Sequence, residues 1–330
     1  MTGRRAFLLA FGAGTLAATL PSFAVQPARL WRIGFLAPRA RPGSLETDYY
    51  GAFVSSMREL GYVEGKSFVV EWRFADGKLE RLPGLVADLV RAKVDVIVSV
   101  GTPATHAAQQ AAPGVSIVHT GVADPVGSGF AASLARPGGN LTGPSANTAD
   151  MGPKQLGLLK TMMPGLSRVA VLVNSASSSH GTYLKNARAG TQKAGIKLVP
   201  IDARTAQEIE RGFALIAKER ADALIVTSDP LFFQQRQQIS ELAARHRLAS
   251  IFGFREYAQA GGLISYGHSV AENYRSAAAY VDKILRGAKP GRLPIEPPAK
   301  LELFINLATA KALGLAIPRD LLRRADGLIE

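Results

Sequence analysis

The stretch Val94-Asp95-Val96-Ile97-Val98-Ser99-Val100-Gly101-Thr102-Pro103-Ala104-Thr105 indicates the fold most directly. Its first half is a continuous β-branched run, as expected for a strand that is buried on both faces of a parallel sheet. Thr102 and Pro103 are typical of a helix start, with the threonine as N-cap and the proline in the first turn. A buried strand that runs almost directly into a helix predicts an α/β fold.

The same alternation continues along the rest of the chain. Short apolar runs predict strands at 30–36, 67–74, 94–100, 115–119, 169–173, 196–201, 223–226, 250–254, 263–266 and 301–305. Helical periodicity predicts helices at 47–60, 79–92, from 102 onward, and at 155–162, 183–193, 206–218, 233–246, 270–285 and 308–313. Two sets of such units predict two doubly wound parallel-sheet lobes, and the glycine- and proline-rich stretch 136–144 is the expected turn between them.

Ligands of doubly wound sheets bind beyond the carboxyl ends of the strands, so the loops after the strands are the candidate site. Thr102, Pro103 and Ala104 form a helix start whose free N–H groups we expect to bind a ligand carboxylate, with Ser99 and Thr120 nearby. The alternative for this loop is a plain capped helix. Ser177, in the hydroxyl-rich loop after another strand, is a further predicted ligand-binding residue.

Acidic and aromatic side chains in the other loops complete the predicted site. We expect Asp124, Asp229 or Glu256 to bind a ligand amine, although Asp124 could equally cap a helix. An apolar or aromatic part of the ligand would lie among Tyr49, Phe232, Phe254, Tyr257 and Tyr266. The alternative for these rings is that they pack against the faces of the lobes. Their number favours an aromatic amino acid or a similar planar solute.

Composition argues against several other functions. The chain has no cysteine, which excludes disulfides, thiolate zinc sites and a cysteine nucleophile. Its five histidines are scattered without metal-site spacing, so we expect no metal, no cofactor and no enzymatic activity. The formal net charge of +13 comes from dispersed basic residues that are not interleaved with aromatic rings, so we expect no binding to nucleic acid.

The N-terminal residues resemble an export signal. Arg4 and Arg5 precede an uncharged, mostly apolar run at 6–20, and Ser22-Phe23-Ala24 forms a small-residue cleavage site. We therefore expect residues 1–24 to be a signal peptide, with the mature chain in the periplasm; the alternative is a membrane anchor or a buried helix. The paired arginines also resemble the twin-arginine pattern. Without cysteine we expect no lipid anchor.

Several ordered blocks of the chain resemble one protein family. They include Leu60-Gly61-Tyr62-Val63-Glu64-Gly65, Gly101-Thr102-Pro103-Ala104, Asp124-Pro125-Val126-Gly127, Arg136-Pro137-Gly138-Gly139-Asn140-Leu141-Thr142-Gly143, Arg255-Glu256-Tyr257 and Thr309-Ala310-Lys311-Ala312-Leu313-Gly314-Leu315. With these blocks the chain resembles the ABC-transporter substrate-binding proteins of the group that includes tryptophan and tyrosine binders.

The resemblance implies a fold like that of type I periplasmic binding proteins, with two lobes joined by three crossovers. It implies an N-terminal lobe at 30–143 plus 255–297, a C-terminal lobe at 144–254 plus 298–330, and a hinge near 143–144, 254–255 and 297. It also implies a monomer that delivers a small carboxylate-bearing solute to the membrane permease of an ABC importer. The alternative function is a ligand-binding sensor that signals to a membrane kinase or chemoreceptor.

Overall fold

The computed structural model describes residues 29–146, 148–192 and 195–330. The predicted signal peptide, residues 1–24, lies outside the described residues. Among the described residues, no helix is both long and apolar enough to cross a membrane.

Two separate β-sheets organise the chain. The first has five parallel strands in the order β2-β1-β3-β4-β5, with bounds β1 Trp31–Ala37, β2 Phe68–Phe74, β3 Val96–Val100, β4 Ser116–Thr120 and β5 Leu141–Thr142. The second has seven strands in the order β12-β11-β10-β9-β8-β6-β7, with bounds β6 Arg168–Val173, β7 Lys197–Asp202, β8 Ala223–Val226, β9 Ala249–Phe252, β10 Ile264–Gly267, β11 Glu302–Asn306 and β12 Gly327–Ile329. The pairing of β10 with β11 is antiparallel, so the second sheet departs from the purely parallel expectation at that point.

Helices cover both faces of each sheet, as continuous apolar strands require. Their bounds are α1 Tyr49–Glu59, α2 Leu82–Arg91, α3 Gly101–Ala111, α4 Met151–Met162, α5 Ser179–Gln192, α6 Ala206–Lys218, α7 Pro230–Gln234, α8 Arg236–Arg245, α9 Arg255–Gln259, α10 Val270–Leu285, α11 Leu307–Leu313 and α12 Arg319–Arg324. Short 3-10 turns occur at Leu79–Arg81, Thr148–Asp150 and Pro290–Arg292.

The apolar cores follow from the two-residue period of the strands. Neighbouring residues Phe35 and Leu36 in β1 belong to core clusters on opposite faces of the first sheet. Val171 and Leu172 in β6 do the same in the second sheet. Alternate side chains of a strand point to opposite faces, so a strand that is apolar throughout needs a core on each side. The result is two α/β lobes, each a three-layered structure around its own sheet.

The chain passes between the lobes at three places. It leaves the first sheet after Thr142, returns to the first lobe after β10 when α10 packs against α1 and β4, and finally re-enters the second lobe between Ile295 and Leu301. The predicted crossing at 254–255 is therefore wrong. Helix α9 and strand β10 both belong to the second lobe, and the crossing lies at His268–Ser269. Sequence pattern alone does not indicate which sheet a short strand joins.

Gly143 begins the first of these crossings, and its conformation requires glycine. Its φ is +143°, and a Cβ built there would lie 2.1 Å from the carbonyl oxygen of His119 in β4. A side chain at this position would therefore force the crossing segment away from the first sheet.

Candidate functional site

A cavity lies between the lobes, where strands of both sheets end. Its empty volume is about 600 Å³, counting the part that opens to solvent. The residues that line it come from both lobes and from the middle crossing; they are Arg39, Tyr49, Val100, Gly101, Thr120, Gly121, Ser228, Asp229, Pro230, Phe233, Phe254, His268, Val270, Asn273 and Tyr274. We call this space the interlobe cavity.

Two glycines at strand ends form the first-lobe wall of the interlobe cavity. Gly101 follows β3 with φ +72°, and Gly121 follows β4 with φ +70°, a left-handed conformation that favours glycine. The lobes meet at Gly101, because a Cβ there would lie 2.9 Å from the Cγ atom of Pro230 in the second lobe. The missing side chain thus allows the two lobes to come together.

The opposite wall is built around the start of α7. Asp229 is the N-cap of this helix, and its Oδ1 accepts a hydrogen bond from the N–H of Leu231 at 2.8 Å. Its Oδ2 accepts from Nδ2 of Asn174 at 3.2 Å. The aspartate is 4% exposed, so these two donors fix a largely desolvated carboxylate at the edge of the cavity.

Aromatic rings from both lobes meet in the same cavity. The ring of Phe233 in α7 lies edge-on to Phe254 at 5.3 Å and to Tyr49 of the first lobe at 5.6 Å between centroids. Such edge-to-face pairs are the favoured arrangement of aromatic side chains. Tyr274 of α10 adds a fourth ring. The cavity therefore offers flat apolar surfaces on both sides.

Tyr49 of the first lobe contacts both lobes. Its ring packs against the core clusters of the first and the second lobe. Burial raises the pKa of its hydroxyl, and the nearby carboxylate of Glu256 in α9 raises it further. Glu256 is itself 5% exposed, and its closest cation is Arg255, with a nitrogen–oxygen distance of 3.6 Å. Tyr49 and Glu256 thus interact across the boundary between the lobes.

His268 stands at the middle crossing and is neutral near pH 7. Complete burial lowers the pKa of its imidazole to about 4. Its Nε2 lies 3.4 Å from Nδ2 of Asn273, and its ring is edge-on to Phe254 at 5.2 Å. The histidine can therefore contribute a neutral hydrogen-bonding group and an apolar ring, but no positive charge.

A second, smaller cavity lies beside the interlobe cavity, and we call it the mouth cavity. Its empty volume is about 350 Å³, and it shares Arg39, Asp229 and Pro230 with the interlobe cavity. Beside it the backbone N–H of Ala40 donates to Oε1 of Gln234 across the lobes at 3.3 Å. The hydroxyls of Ser178 and Ser128 form another contact between the lobes at 3.2 Å. The lobes are therefore closed over the interlobe cavity.

The structure brings part of the predicted site together. Tyr49, Thr120, Asp229 and Phe254 line the interlobe cavity. Pro103 lines the mouth cavity. Tyr266 lines a side cavity of about 270 Å³, which shares Ser228 and His268 with the interlobe cavity. Glu256 lies behind Tyr49.

The predicted carboxylate loop is not arranged as expected. Helix α3 begins at Gly101 without a side-chain cap, so Thr102 does not cap it, and the Thr102 hydroxyl lies 3.5 Å from Oγ of Ser179. Ala104 is fully buried in a core cluster. The hydroxyl of Ser99 bonds with that of Thr105 at 2.8 Å instead of facing a ligand. These side chains serve packing and local hydrogen bonding.

Four other predicted site residues also have structural partners. Asp124 accepts from the N–H of Gly127 at 2.7 Å, so it stabilises a turn. The hydroxyl of Ser177 bonds with that of Ser179 at 2.9 Å. Phe232 is fully buried and stacks on His180, with centroids 6.3 Å apart. Tyr257 stacks on Phe252 at 4.5 Å in the core of the second lobe.

Sequence reasoning missed several residues of the interlobe cavity, including Arg39, Phe233, His268, Asn273 and Tyr274. Phe233 adjoins the predicted Phe232, and the phase of the short helix α7 decides which of the two rings faces the cavity. Arg39 is one of a basic pair, Arg39 and Arg41, that reads as solvated surface. No signal in the sequence distinguishes it from the other arginines.

The described residues contain no group of three or more histidine, aspartate or glutamate side chains that could hold a metal ion. The lining of the interlobe cavity instead combines polar side chains with aromatic rings and glycine backbone. Such a lining is suited to the noncovalent binding of a small organic molecule.

Comparison with known proteins agrees with this geometry. A family described as ABC transporter substrate binding protein matches residues 42–329. The tyrosine-binding protein of Clostridioides difficile is 24% identical over 263 residues, which cover 80% of this chain and 75% of that protein.

Two solved structures share the fold at equal sequence identity. A Streptococcus pneumoniae ABC domain in complex with L-Trp has a TM-score of 0.82 at 22% identity, covering 91% of this chain and 99% of its own. A ligand-free, open substrate-binding protein from Clostridium difficile has a TM-score of 0.65 with the same identity and coverage.

Proposed function

Because this chain belongs to the family of ABC transporter substrate binding proteins, we propose that it captures an aromatic amino acid outside the cytoplasm for an ABC importer. The ligand binds in the interlobe cavity and is then delivered to a membrane permease. The observation that carries this proposal is the closed interlobe cavity, whose aromatic rings come from both lobes.

The lining of the interlobe cavity suits such a ligand. Phe233, Phe254, Tyr49 and Tyr274 supply flat apolar surfaces against which a planar ring can pack. Thr120 and Asp229 provide an acceptor-rich polar edge.

The named relatives give independent support for the ligand class. One is described as a tyrosine-binding protein, and one solved structure of the same fold contains L-Trp. Sequence identity to either is too low to carry over individual contacts, so the assignment to this chain depends on its own cavity.

Delivery to a permease requires the lobes to open and close. We propose that they move as two bodies, one comprising 30–143 and 270–295 and the other 144–267 and 301–330, about the three crossings. In the described part of the chain, direct polar contacts between the lobes include Ala40 with Gln234 at 3.3 Å and Ser178 with Ser128 at 3.2 Å. Rotation at a few connecting residues is sufficient for a hinge of this kind.

Thermal shift and calorimetry test the ligand class. L-Tryptophan and L-tyrosine should raise the Tm, because a ligand that binds only the folded state stabilises it, whereas L-leucine and D-ribose should not. Phe233→Leu should weaken binding by about tenfold, the loss expected for an aromatic contact together with some buried area. Phe213→Leu is the matched control, since Phe213 is fully buried in the core of the same lobe away from the cavity.

Phe213→Leu should lower the Tm without changing affinity. If no aromatic amino acid binds while another solute class does, the proposed ligand is wrong. The importer role is tested separately by uptake of labelled ligand in cells that lack this protein; uptake equal to that of wild-type cells would contradict it.

A further inference from the structure

Two opposite charges occupy the interlobe cavity, one on each lobe. Among the described residues that line it, Arg39 is the one cation and Asp229 the one acid. Arg39 follows β1 in the first lobe, and Asp229 follows β8 in the second. Both residues also line the mouth cavity, so they stand where the two cavities join. The two side chains do not pair with each other: Arg39 forms an ion pair with Asp48 of its own lobe, and Asp229 accepts a hydrogen bond from Asn174. Both can therefore meet a ligand that lies between them.

The guanidinium of Arg39 is held in place but retains donors. Its Nε donates to the hydroxyl of Tyr50 at 2.8 Å, and its Nη2 bonds with the carboxylate of Asp48. The group also lies over the Tyr50 ring, 4.6 Å from the centroid. Its Nη1 makes no hydrogen bond to a described residue. Arginine presents a rigid, planar set of donors that matches a carboxylate, so a fixed guanidinium with a spare edge is a ready carboxylate partner.

The carboxylate of Asp229 can accept further hydrogen bonds, just as the guanidinium of Arg39 can donate them. Each of its two oxygens already accepts one hydrogen bond, from Leu231 or from Asn174. An ionised carboxylate has about four acceptor positions, so each oxygen can take a further donor. Since Asp229 is only 4% exposed, a ligand ammonium group at this point would meet a desolvated negative charge.

We propose that Arg39 binds the α-carboxylate of the ligand and Asp229 binds its α-ammonium group, so that one zwitterionic amino acid joins the two lobes. This inference rests on the proposed function and adds the groups that recognise the amino acid backbone. It replaces the expected carboxylate site at Thr102 and Ala104, which are buried in packing contacts. Because the two charges lie on different lobes, a ligand that lacks either charge leaves one of them unpaired when the lobes close.

Three probes test the inference on wild-type protein: L-tyrosine, tyramine, which lacks the carboxylate, and 3-(4-hydroxyphenyl)propionate, which lacks the ammonium group. Each analogue should bind about 30-fold or more weakly than L-tyrosine, the effect expected when one partner of a buried charge pair is removed. If tyramine binds as tightly as L-tyrosine, the role of Arg39 is wrong. If the propionate does so, the role of Asp229 is wrong. If none of the three binds, the proposed ligand class and this inference both fail.

Variants of the protein show which side chain binds the ligand carboxylate and which binds the ligand ammonium group. Arg39→Met should weaken binding of L-tyrosine about 30-fold but should leave the affinity for tyramine unchanged. Asp229→Asn, which keeps an oxygen for the helix cap, should weaken L-tyrosine and leave the propionate unchanged. Arg32→Met is the control, because Arg32 pairs with Glu71 at the exposed surface of the same lobe.

Arg39 also supports Asp48 and Tyr50, and the variants must separate this structural role from ligand binding. Equal weakening of L-tyrosine and tyramine by Arg39→Met would assign Arg39 to structure alone and overturn the proposal. If that variant does not fold, as judged by circular dichroism, Arg39→Lys keeps the charge without the planar fork. Arg39→Lys should then weaken the binding of L-tyrosine by a smaller factor than removal of the ligand carboxylate does in the wild type. If Arg39→Lys weakens L-tyrosine and tyramine equally, the proposal is also overturned.

Discussion

The interiors of the lobes and the boundary between them are built differently. Within the first lobe, Phe35 has aromatic neighbours with centroids from 4.6 to 6.0 Å away, among them Trp72, Tyr50 and Tyr274. Across the boundary, polar contacts are single and long, such as the 3.5 Å between the hydroxyls of Thr102 and Ser179. Dense packing makes each lobe rigid, whereas sparse contacts allow the lobes to separate at small cost. If the lobes close on a ligand as we propose, we expect ligand binding to supply much of the free energy of closure.

Protonation of the buried His119 tests the interior of the first lobe, and we expect it to have the largest effect on the free energy of unfolding. His119 in β4 is fully buried without a hydrogen-bond partner among the described residues, and burial lowers its pKa to about 3. Below pH 6.5 the unfolded chain binds a proton there that the folded chain does not, so stability falls as pH falls. The free energy of unfolding should decrease by about 2 kcal/mol from this group between pH 7 and pH 5.

His119→Leu should remove that part of the pH dependence, because the replacement is apolar and cannot titrate. Chemical denaturation of wild type and variant at pH 7, 6 and 5 measures the difference. A variant that keeps the full wild-type slope would show that His119 is not held neutral by burial. Ligand affinity at pH 7 should be equal in the two proteins, since His119 lies inside the first lobe.

Gly101→Ala should disturb the contact between the lobes but not the packing inside them, and the free-energy change should be intermediate in size. The added Cβ would lie 2.9 Å from Pro230 of the other lobe, so it opposes closure. Overpacking of this kind typically costs about 1–3 kcal/mol, and a cost near the lower end, about 1.4 kcal/mol, weakens binding about tenfold. Small-angle scattering should show a larger radius of gyration at a ligand concentration that closes the wild type.

The matched control for Gly101→Ala is Gly61→Ala. Gly61 also has a positive φ, +93°, but a Cβ there meets nothing within 4 Å. Both variants should lose about 1 kcal/mol of stability from the left-handed backbone, and only Gly101→Ala should lose affinity. Equal affinity in the two variants would mean that the lobes do not meet at Gly101 in the bound state.

The smallest effect should come from removing a single tyrosine hydroxyl, either at the boundary between the lobes or within the first lobe. Tyr49 interacts with the carboxylate of Glu256 across the boundary, whereas the hydroxyl of Tyr62 donates to Asp282 within the first lobe at 2.9 Å. Tyr49→Phe should weaken ligand binding by about 1 kcal/mol and leave unfolding nearly unchanged. Tyr62→Phe should do the reverse.

Calorimetry and denaturation on the same two variants measure both quantities. If Tyr49→Phe lowers the free energy of unfolding as much as Tyr62→Phe and leaves affinity intact, the contact with Glu256 belongs to the folded lobes and has no part in closure. That outcome would weaken the contrast between interior and boundary.

The local sequence predicted correctly those helices whose first residue is fixed by a neighbouring capping side chain. The predicted helices 206–218 and 270–285 match α6 and α10, and in each the preceding residue caps the helix. Thr205 accepts from the N–H of Glu208, and Ser269 accepts from that of Glu272. Both are the start of a capping box, in which partners three residues apart satisfy the first helical donors. Such signals depend on neighbours in the chain and are visible without a fold.

Elements that depend on distant partners were predicted poorly. The two strands at the antiparallel end of the second sheet illustrate this: β12 was missed, and β10 was assigned to the first lobe. The predicted helix 233–246 is in fact two, α7 and α8, and only the first faces the other lobe. Short segments contain too little pattern to state which sheet or lobe they contact.

The sequence by itself determined the repeated strand–helix units and the family, because each follows from residues that are close along the chain. Only the tertiary structure decided which loops form the site. Asp124-Pro125 and Asp229-Pro230 are the same dipeptide after a buried strand, and each aspartate accepts from a backbone N–H nearby. Only Asp229 lines the interlobe cavity. Local hydrogen bonding fixes such a turn, but the packing of the two lobes fixes what lies opposite it.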